Sequence, residues 1–472
     1  MQHKKTLIVT LMFAFHISTV AAEVLHLPQA IQKALHYRIE VKNAKLASES
    51  AALGKSITES QLGWQANASA GYKHGLDTFG QSTDQQRISA GLIKQQRSGD
   101  KISLLGSYQN DKSDSVNTSV FPNPIESYGV NIDYTMPLQQ GRNNLEYALV
   151  DRQSLAGIVI SAAQQQAIAE QIGEQIISIY HRLIDIQIQI NENQRALKRT
   201  EKLNVYIKGN SRLGLAEEKD RLSVLARLAA QQADAKRLQR EWTSQLTELQ
   251  KMTGEPGSYK RVTNYNKANV LPATLEEVVL NVTQRDATII SNAERLDVAK
   301  TQIQLSRDNQ KDRLDLIFSV GNETRQGERS TTTLDENEWT GGVRLEYTLP
   351  LDKRGVDAKT RQSWLEVDQI QYENERYTLD LKNQLQQWYQ EWDMAGDTIH
   401  HYLNRKRIEQ KRHKEVTARY REGRTDIREL LDADEALTVA EKLLAKEEAR
   451  RSLMLALLSN RLGLFVEASE KK

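Results

Sequence analysis

Two segments of this chain, beginning at Gly129 and at Gly342, carry nearly the same sequence. The first, at positions 129–138, reads GVNIDYTMPL, and the second, at positions 342–351, reads GVRLEYTLPL. Both alternate apolar and polar residues, end on Tyr-Thr-x-Pro-Leu and run into a long, charge-rich stretch without proline. Self-similarity of this kind indicates an internal duplication. We therefore expect two repeats, in each of which a strand leads directly into a long helix.

The prolines show where long helices can lie. Proline is absent from residues 138–255 and after Pro350, and proline is excluded from helix interiors. Between residues 168 and 197, isoleucine and leucine recur mostly at spacings of three and four, which predicts a coiled-coil-like stripe. We expect one long antiparallel helix pair in each repeat, with its turn at Gly214 or Gly423. The expected helices cover residues 143–208, 216–252, 357–423 and 427–462.

Each repeat also begins with a shorter amphipathic helix. These helices open at Leu27 and Leu275 and are expected to run to about Gly63 and Lys311.

Alternating apolar and polar residues predict strands between the helices. Segments of about ten residues with one apolar face and aromatic residues near their ends are typical of outer-membrane barrels, and half-buried strands of a soluble sheet are the alternative. From Gly71 to Gly129 the first repeat uses 58 positions (129 minus 71), where the second uses 21 from Gly321 to Gly342 (342 minus 321). The surplus holds an extra hairpin near 87–108 with a turn at 98–100. Six strands per chain follow, or four in the barrel if this hairpin packs inside or outside it.

The composition excludes several classes of protein. A net charge of +2 with interspersed signs does not suggest nucleic-acid binding. The absence of cysteine excludes thiolate metal sites and cysteine nucleophiles. Adjacent His400 and His401 point to different helix faces, and with His413 they are expected to be exposed helix histidines rather than metal ligands. No catalytic motif stands out, so we expect neither enzymatic activity nor a cofactor.

The N-terminus predicts export. Lys4 and Lys5 precede an apolar run at residues 7–17, and Ala21-Ala22 supplies small residues for signal-peptidase cleavage. This pattern is typical of a secretory signal peptide and is too short for a membrane-spanning helix. A short buried helix is the alternative.

The signal peptide, the duplicated units and the pattern Tyr420-x-x-Gly423-x₅-Glu429-x-x-Asp432 together resemble the TolC-like outer-membrane efflux proteins, the outer membrane factors. The resemblance implies a mixed α and β fold that is mostly helical, with a homotrimeric transmembrane β-barrel continued by a long periplasmic α-helical coiled-coil tunnel. Three chains of six strands would give a barrel of 18 strands, against 12 for four-stranded chains.

The same resemblance implies an outer-membrane channel of a Gram-negative bacterium. Its helical part would lie in the periplasm and its barrel in outer-membrane lipid. It would form a duct for small-molecule efflux or type I protein secretion, in a tripartite system with a periplasmic adaptor (membrane fusion) protein and an inner-membrane transporter of RND or ABC type. A soluble periplasmic coiled-coil adaptor or scaffold is the alternative.

The resemblance also implies site residues. Glu429 and Asp432 match acidic residues that form rings at the periplasmic constriction, and Asp220 lies six positions after Gly214 as Glu429 does after Gly423. Solvated helix-face carboxylates are the alternative. Thr425 occupies a position where related proteins often have an arginine that helps to close the tunnel. The turns match surfaces that adaptor tips contact, or are simple helix turns; these residues are Arg212, Leu213, Gly214, Leu215, Tyr420, Gly423 and Arg424.

These expectations divide the chain into consecutive segments. They are a signal peptide (1–22), an N-terminal tunnel helix (23–63), barrel strands (64–138), a long helical hairpin (139–255), a linker (256–272), a second helix (273–313), barrel strands of the second repeat (314–351), a second long hairpin (352–464) and a C-terminal tail (465–472).

Overall fold

The computed structural model describes residues 24–76, 82–114, 120, 122–212, 217–255, 259, 261–266, 274–330 and 332–465. The predicted signal peptide lies outside these residues. The chain divides into two compact units. The helical unit comprises Met1–Val41, Ala169–Val279 and Asn383–Lys472, and the sheet unit comprises Lys42–Ile168 and Leu280–Lys382. Among the described residues, no helix combines the length and the apolar character needed to cross a bilayer.

The fold is mostly helical, with one large antiparallel sheet. In chain order the elements are β1 (Val24–Leu25), α1 (Leu27–Tyr37), α2 (Ile39–Ser60), β2 (Gln65–Leu76), β3 (Ser82–Gln95), β4 (Lys101–Ser113), β5 (Ile125–Pro137), α3 (Leu145–Arg212), α4 (Glu218–Thr253), β6 (Arg261–Val262), α5 (Leu275–Arg285), α6 (Ala287–Asp308), β7 (Arg313–Glu328), β8 (Thr333–Thr348), α7 (Arg354–Arg421) and α8 (Ile427–Arg461).

The helices of the two halves have matching lengths. Helices α1 and α5 have 11 residues each, α2 and α6 have 22 each, and α3 and α7 have 68 each. Helix α4 has 36 residues and α8 has 35. The helix lengths thus correspond pair by pair between the two halves, and the duplication itself stays a prediction from the sequence.

Each short opening helix is divided in two, where the sequence predicts one. Arg38 has an extended backbone (φ −64°, ψ 129°), so α1 ends there. In the second half the side chain of Asp286 accepts hydrogen bonds from the backbone N–H groups of Thr288 (2.9 Å) and Ile289 (3.1 Å) and so caps α6. Such caps satisfy backbone donors that have no partner within the helix.

The predicted extra hairpin is present in the six-stranded sheet, whose strand order is β2-β3-β4-β5-β7-β8. Every neighbouring pair is antiparallel, and β5 pairs with β7, so this contact joins the two halves of the chain. The sheet is open, with β2 and β8 at its edges and no closed barrel within the described part of one chain.

The sheet has one apolar and one polar face, because side chains alternate along each strand and the strands pair in register. The apolar face includes Ala68, Ala70, Ile88, Leu92, Leu104, Tyr108, Val130, Ile132, Phe318, Val320, Val343 and Leu345. Much of it is exposed to solvent, as Val343 (68%) and Leu345 (61%) on β8 illustrate. A wide exposed apolar surface needs another surface or a lipid phase to cover it.

The helical unit contains a short parallel strand pair that the sequence did not indicate. β1 and β6 pair through Val24 with Arg261 and Leu25 with Val262. The fully buried Tyr180 of α3 donates a hydrogen bond from its hydroxyl to the carbonyl of Leu25 (2.7 Å), and this hydroxyl accepts one from the N–H of Thr263 (3.1 Å). Tyr180 thus links both strands to α3, and the side-chain amide of Gln187 on the same helix also binds the backbone of Val262.

Candidate functional site

The turn between α7 and α8 is set by Gly423. Its φ of +71° lies in the left-handed region, where glycine carries no Cβ penalty. The N–H of Arg424 donates to the carbonyl of Arg419 (2.9 Å), and the N–H of Gly423 donates to that of Tyr420 (3.1 Å). The bond from Arg424 spans the helix end as in a Schellman motif. Gly423 therefore has a structural role, whatever contacts the turn makes.

Helix α8 begins with a cap that brings Glu429 to the turn. The side chain of Asp426 accepts a hydrogen bond from the backbone N–H of Glu429 (2.8 Å). The carboxylate of Glu429 accepts one from the hydroxyl of Thr425. Thr425 therefore contacts one of the predicted constriction carboxylates from the position where the resemblance anticipates arginine. Sequence reasoning missed Asp426, although an aspartate three residues before a glutamate at a helix start is a recognisable capping signal.

The three predicted constriction carboxylates lie near this end of the helical unit. Glu429 and Asp432 are exposed on α8, and Asp220 is half-buried in the first turn of α4. Burial raises the pKa of Tyr420 above its usual value, and the negative charge of Asp220 raises it further, so Asp220 acts on the turn residue of the other helix pair. Among the described side chains, none of the three carboxylates forms an ion pair.

The predicted turn contacts are only partly described. Arg212 is the last residue of α3, and Leu213, Gly214 and Leu215 lie outside the described residues. Tyr420 is half-buried and its ring meets that of Tyr206 edge-on, with 6.1 Å between centroids. Gly423 and Arg424 are exposed.

All four long helices meet behind the turn. Ile207 of α3, Val224 of α4 and Val416 of α7 pack with Ile427, Leu430 and Ala433 of α8 in one buried cluster. This apolar packing fixes where the polar side chains of the four helices come together.

A buried acidic residue, Asp434, joins the four helices a short distance further along α8. It is only 6% exposed. Its carboxylate accepts hydrogen bonds from the guanidinium groups of Arg199 on α3 and Arg227 on α4, the latter at 3.2 Å. His413 Nε2 of α7 lies 3.6 Å from the same carboxylate. Burial lowers the pKa of His413, although the negative charge of Asp434 acts in the opposite direction.

The sequence does not predict this cluster, and the expectation that His413 is exposed is wrong. His413 is instead half-buried against Asp434, whereas His400 and His401 are exposed. One signal was available, because Asp434 lies between Leu430 and Leu437 at helical spacing and so falls on the apolar stripe of α8. Within the described ranges, no cluster of three or more metal-ligating side chains occurs.

Two buried carboxyl groups, Glu192 on α3 and Glu441 on α8, contact each other between these helices. Glu192 is 5% exposed and Glu441 is 9% exposed. Burial raises the pKa of Glu192 to about 7, and the charge of Glu441 adds to this against the opposing effect of Arg195. The Arg195 guanidinium lies 3.0 Å from Glu192 and 3.9 Å from Glu441. Glu192 therefore changes its charge near neutral pH.

No protein-family model and no curated protein matches this chain. Solved structures do match it. The outer-membrane channel OprN is similar over 93% of this chain and 89% of its own, with 17% identity and a TM-score of 0.65. The outer membrane protein VceC from Vibrio cholerae is similar over 93% and 96%, with 13% identity and a TM-score of 0.65. The open state of the MtrE outer membrane channel of Neisseria gonorrhoeae matches over 93% and 88%, with 18% identity and a TM-score of 0.57.

Proposed function

Because this chain has the fold of the TolC-like outer-membrane channels, we propose that it is the outer-membrane channel of a tripartite export system. Three copies would form one duct for small-molecule efflux or type I protein secretion. The barrel would lie in the outer membrane of a Gram-negative bacterium and the long helices in the periplasm. The protein would conduct its cargo without catalysing a reaction.

The sheet unit carries this proposal. Its six strands share an apolar face, while β2 and β8 leave unpaired backbone groups at the edges. Open edges are costly in lipid, and six strands are too few to close around a wide lumen. Additional copies of the chain supply the missing strands, with the apolar face toward lipid and the polar face toward the channel.

The carboxylates near the turn between α7 and α8 support the proposal of a gate at this end of the helical unit. Glu429, Asp432 and Asp220 carry carboxylates that form no ion pair among the described side chains. Three-fold symmetry would turn each carboxylate into a ring that attracts cations. A periplasmic adaptor protein would contact two segments, the observed turn at Tyr420, Gly423 and Arg424 and the turn predicted from the sequence at Arg212, Leu213, Gly214 and Leu215. The adaptor would link the duct to an inner-membrane transporter of RND or ABC type.

Fractionation separates this proposal from the alternative of a soluble periplasmic adaptor or scaffold. The channel is expected in outer membranes, extracted only by detergent and purified as a trimer. Recovery as a soluble periplasmic protein would reject the channel and favour the scaffold.

Planar-bilayer recordings then test the gate. Glu429→Ala combined with Asp432→Ala should weaken block of the pore by multivalent cations about 10-fold or more, since removing a ring of carboxylates removes the attraction. Glu448→Ala, an exposed carboxylate further along α8, is the matched control and should leave block unchanged. If block is the same in the double variant, these residues do not line the constriction.

A further inference from the structure

The hairpin of β3 and β4 is built into the sheet on both sides. β3 pairs with β2 from Gln65 opposite Ile93 to Leu76 opposite Ser82. β4 pairs with β5 from Lys101 opposite Thr135 to Asp111 opposite Ile125. The first pairing covers all of β2 and the second covers β5 up to Thr135, so the hairpin separates β2 from β5 along nearly their whole length.

The hairpin also continues both faces of the sheet. Ala68, Ala90, Gly106 and Val130 stand opposite one another across β2, β3, β4 and β5. The next row on the same face is Ala70, Ile88, Tyr108 and Tyr128. On the other face Ser69 and Ser89 hydrogen-bond through their hydroxyls (2.7 Å). A hairpin folded into a water-filled lumen would expose Ile88 and Leu104 to water, whereas one in the wall keeps them on the lipid face.

The turn of the hairpin is tied to the segment that leads into α3. The N–H of Asn143 donates to the carbonyl of Ser98 (2.8 Å), and the side-chain amide of Asn144 donates to the carbonyl of Gln96 (3.0 Å). The side chain of Asn144 in turn accepts from the N–H of Tyr147 (3.2 Å) at the start of α3. The hairpin is thus anchored where the sheet passes into the long helix.

Building on the function proposed above, we infer that this hairpin forms one third of the barrel wall and widens the duct within the membrane. Three chains of six strands give 18 strands, where three chains of four would give 12. Barrel diameter grows roughly in proportion to strand number, so the membrane section is about 1.5 times as wide as it would be without the hairpin.

The polar face of the sheet indicates which cargo such a duct would pass. It carries both signs of charge, with Arg87, Arg325 and Arg344 alongside Asp133 and Glu323 on the same face. Arg325 and Glu323 form an ion pair at 2.9 Å. A wide lumen with mixed charge admits bulky water-soluble cargo and does not select strongly by sign.

A single thiol on the polar face can measure this width, since the chain contains no cysteine. Ser69→Cys places a thiol on that face of β2, and Ala70→Cys places one on the apolar face as a control. Thiol-reactive polyethylene glycols of graded size are applied to intact cells. The largest polymer that labels Ser69→Cys reports the lumen, and Ala70→Cys should react with none of them.

The same labelling is repeated in a variant that lacks residues 78–121. This deletion removes β3 and β4 and leaves β2 and β5 as antiparallel neighbours. The limiting polymer diameter should fall by about one third, and an unchanged limit would overturn the inference. The deletion also removes the hydrogen bond between Ser98 and Asn143, so a second experiment uses the full chain. The number of strands is counted in a cryo-EM map of the intact trimer, where 18 strands support the inference and 12 reject it. A protein that is neither trimeric nor in the outer membrane would instead refute the proposed function.

Discussion

The hydroxyl of Thr425 donates a hydrogen bond to the carboxylate of Glu429 across the turn between α7 and α8. This contact keeps the side chain of Glu429, one of the proposed gate carboxylates, close to the turn that precedes α8. A hydrogen bond already made to this carboxylate stabilises it in the absence of a cation and so weakens its net attraction for one.

We therefore expect Thr425→Val to strengthen cation block of the reconstituted pore, by roughly two- to fivefold for a hydrogen bond of about 1 kcal/mol. Valine keeps the shape of threonine and removes only the donor. Thr417→Val, four residues before the end of α7, is the control, because its hydroxyl bonds within its own helix to the carbonyl of His413 (2.6 Å). Weaker block in Thr425→Val would show that the hydroxyl instead positions Glu429 for cation binding.

Asp434→Asn should destabilise the helical unit by about 3 kcal/mol, since it removes the buried carboxylate that Arg199 and Arg227 share and leaves Arg199 only its longer contact with Glu441 (3.7 Å). Thermal unfolding of the detergent-solubilised protein, followed by circular dichroism, measures this loss. The matched control is Glu435→Gln, because the neighbouring carboxylate is exposed and lies 3.7 Å from Arg227. Equal melting temperatures for the two variants would show that the buried cluster does not hold the helices together.

Glu192→Gln should change how stability depends on pH. The pKa of Glu192 in the folded chain is about 7, above its ordinary value of 4.5, so folding takes up a proton between these values. This contribution is complete below about pH 4.5 and is lost as the pH rises through 7. Glutamine stays neutral, so the variant should be more stable than the parent at pH 8 by about 1–3 kcal/mol and should match it near pH 4.5.

Melting temperatures of the parent and Glu192→Gln across this pH range give the comparison. Glu201→Gln, an exposed position on the same helix, is the control and should follow the parent curve. Parallel curves for parent and Glu192→Gln would place the pKa of Glu192 near its ordinary value.

Gly99→Ala should impair assembly of the sheet unit. Gly99 has φ +96°, and a Cβ there would overlap the carbonyl oxygen of Gly141. Backbone strain of this kind costs about 1–3 kcal/mol, and the overlap adds to it. Gly71→Ala on β2 is the control, because a Cβ there meets nothing within 4 Å. The yield of the proposed outer-membrane trimer should fall for Gly99→Ala alone, and equal yields would show that the turn accommodates a side chain.

The long helices could be predicted closely from the sequence because their limits depend on local chemistry. Proline-free stretches and Gly423 define α7 and α8, whose observed bounds lie within a few residues of those expected. Helix α3 begins at Leu145 rather than at Asn143, because Asn143 and Asn144 have positive φ angles of 67° and 43°. The hairpin turn was predicted from Gly99 for a similar reason, since a tight turn with positive φ favours glycine.

The remaining features depend on contacts between distant parts of the chain. Strands β1 and β6 have two residues each, which is too short for any alternation to be seen. They are held by Tyr180 and Gln187, which lie more than 70 positions from β6 in the sequence. The opening helix ends at Arg38, but the apolar residues of α1 all lie before that point. Their spacing therefore gives no sign that the helix is divided there. The Asp434 cluster depends on four helices meeting, and no spacing along the sequence indicates which charged residues pair.

Tyr180 has a consequence for the order in which the chain can fold. Its hydroxyl binds the backbone near Leu25 and near Thr263 at once. If the chain is exported as proposed, its N-terminus emerges first, and Leu25 enters the periplasm long before the segment that completes its pairing. Strand β1 therefore stays unpaired until more than half of the chain has followed it. On this route the pairing of β1 with β6, and the contacts through which Tyr180 joins them, form only after the junction between the two halves has emerged.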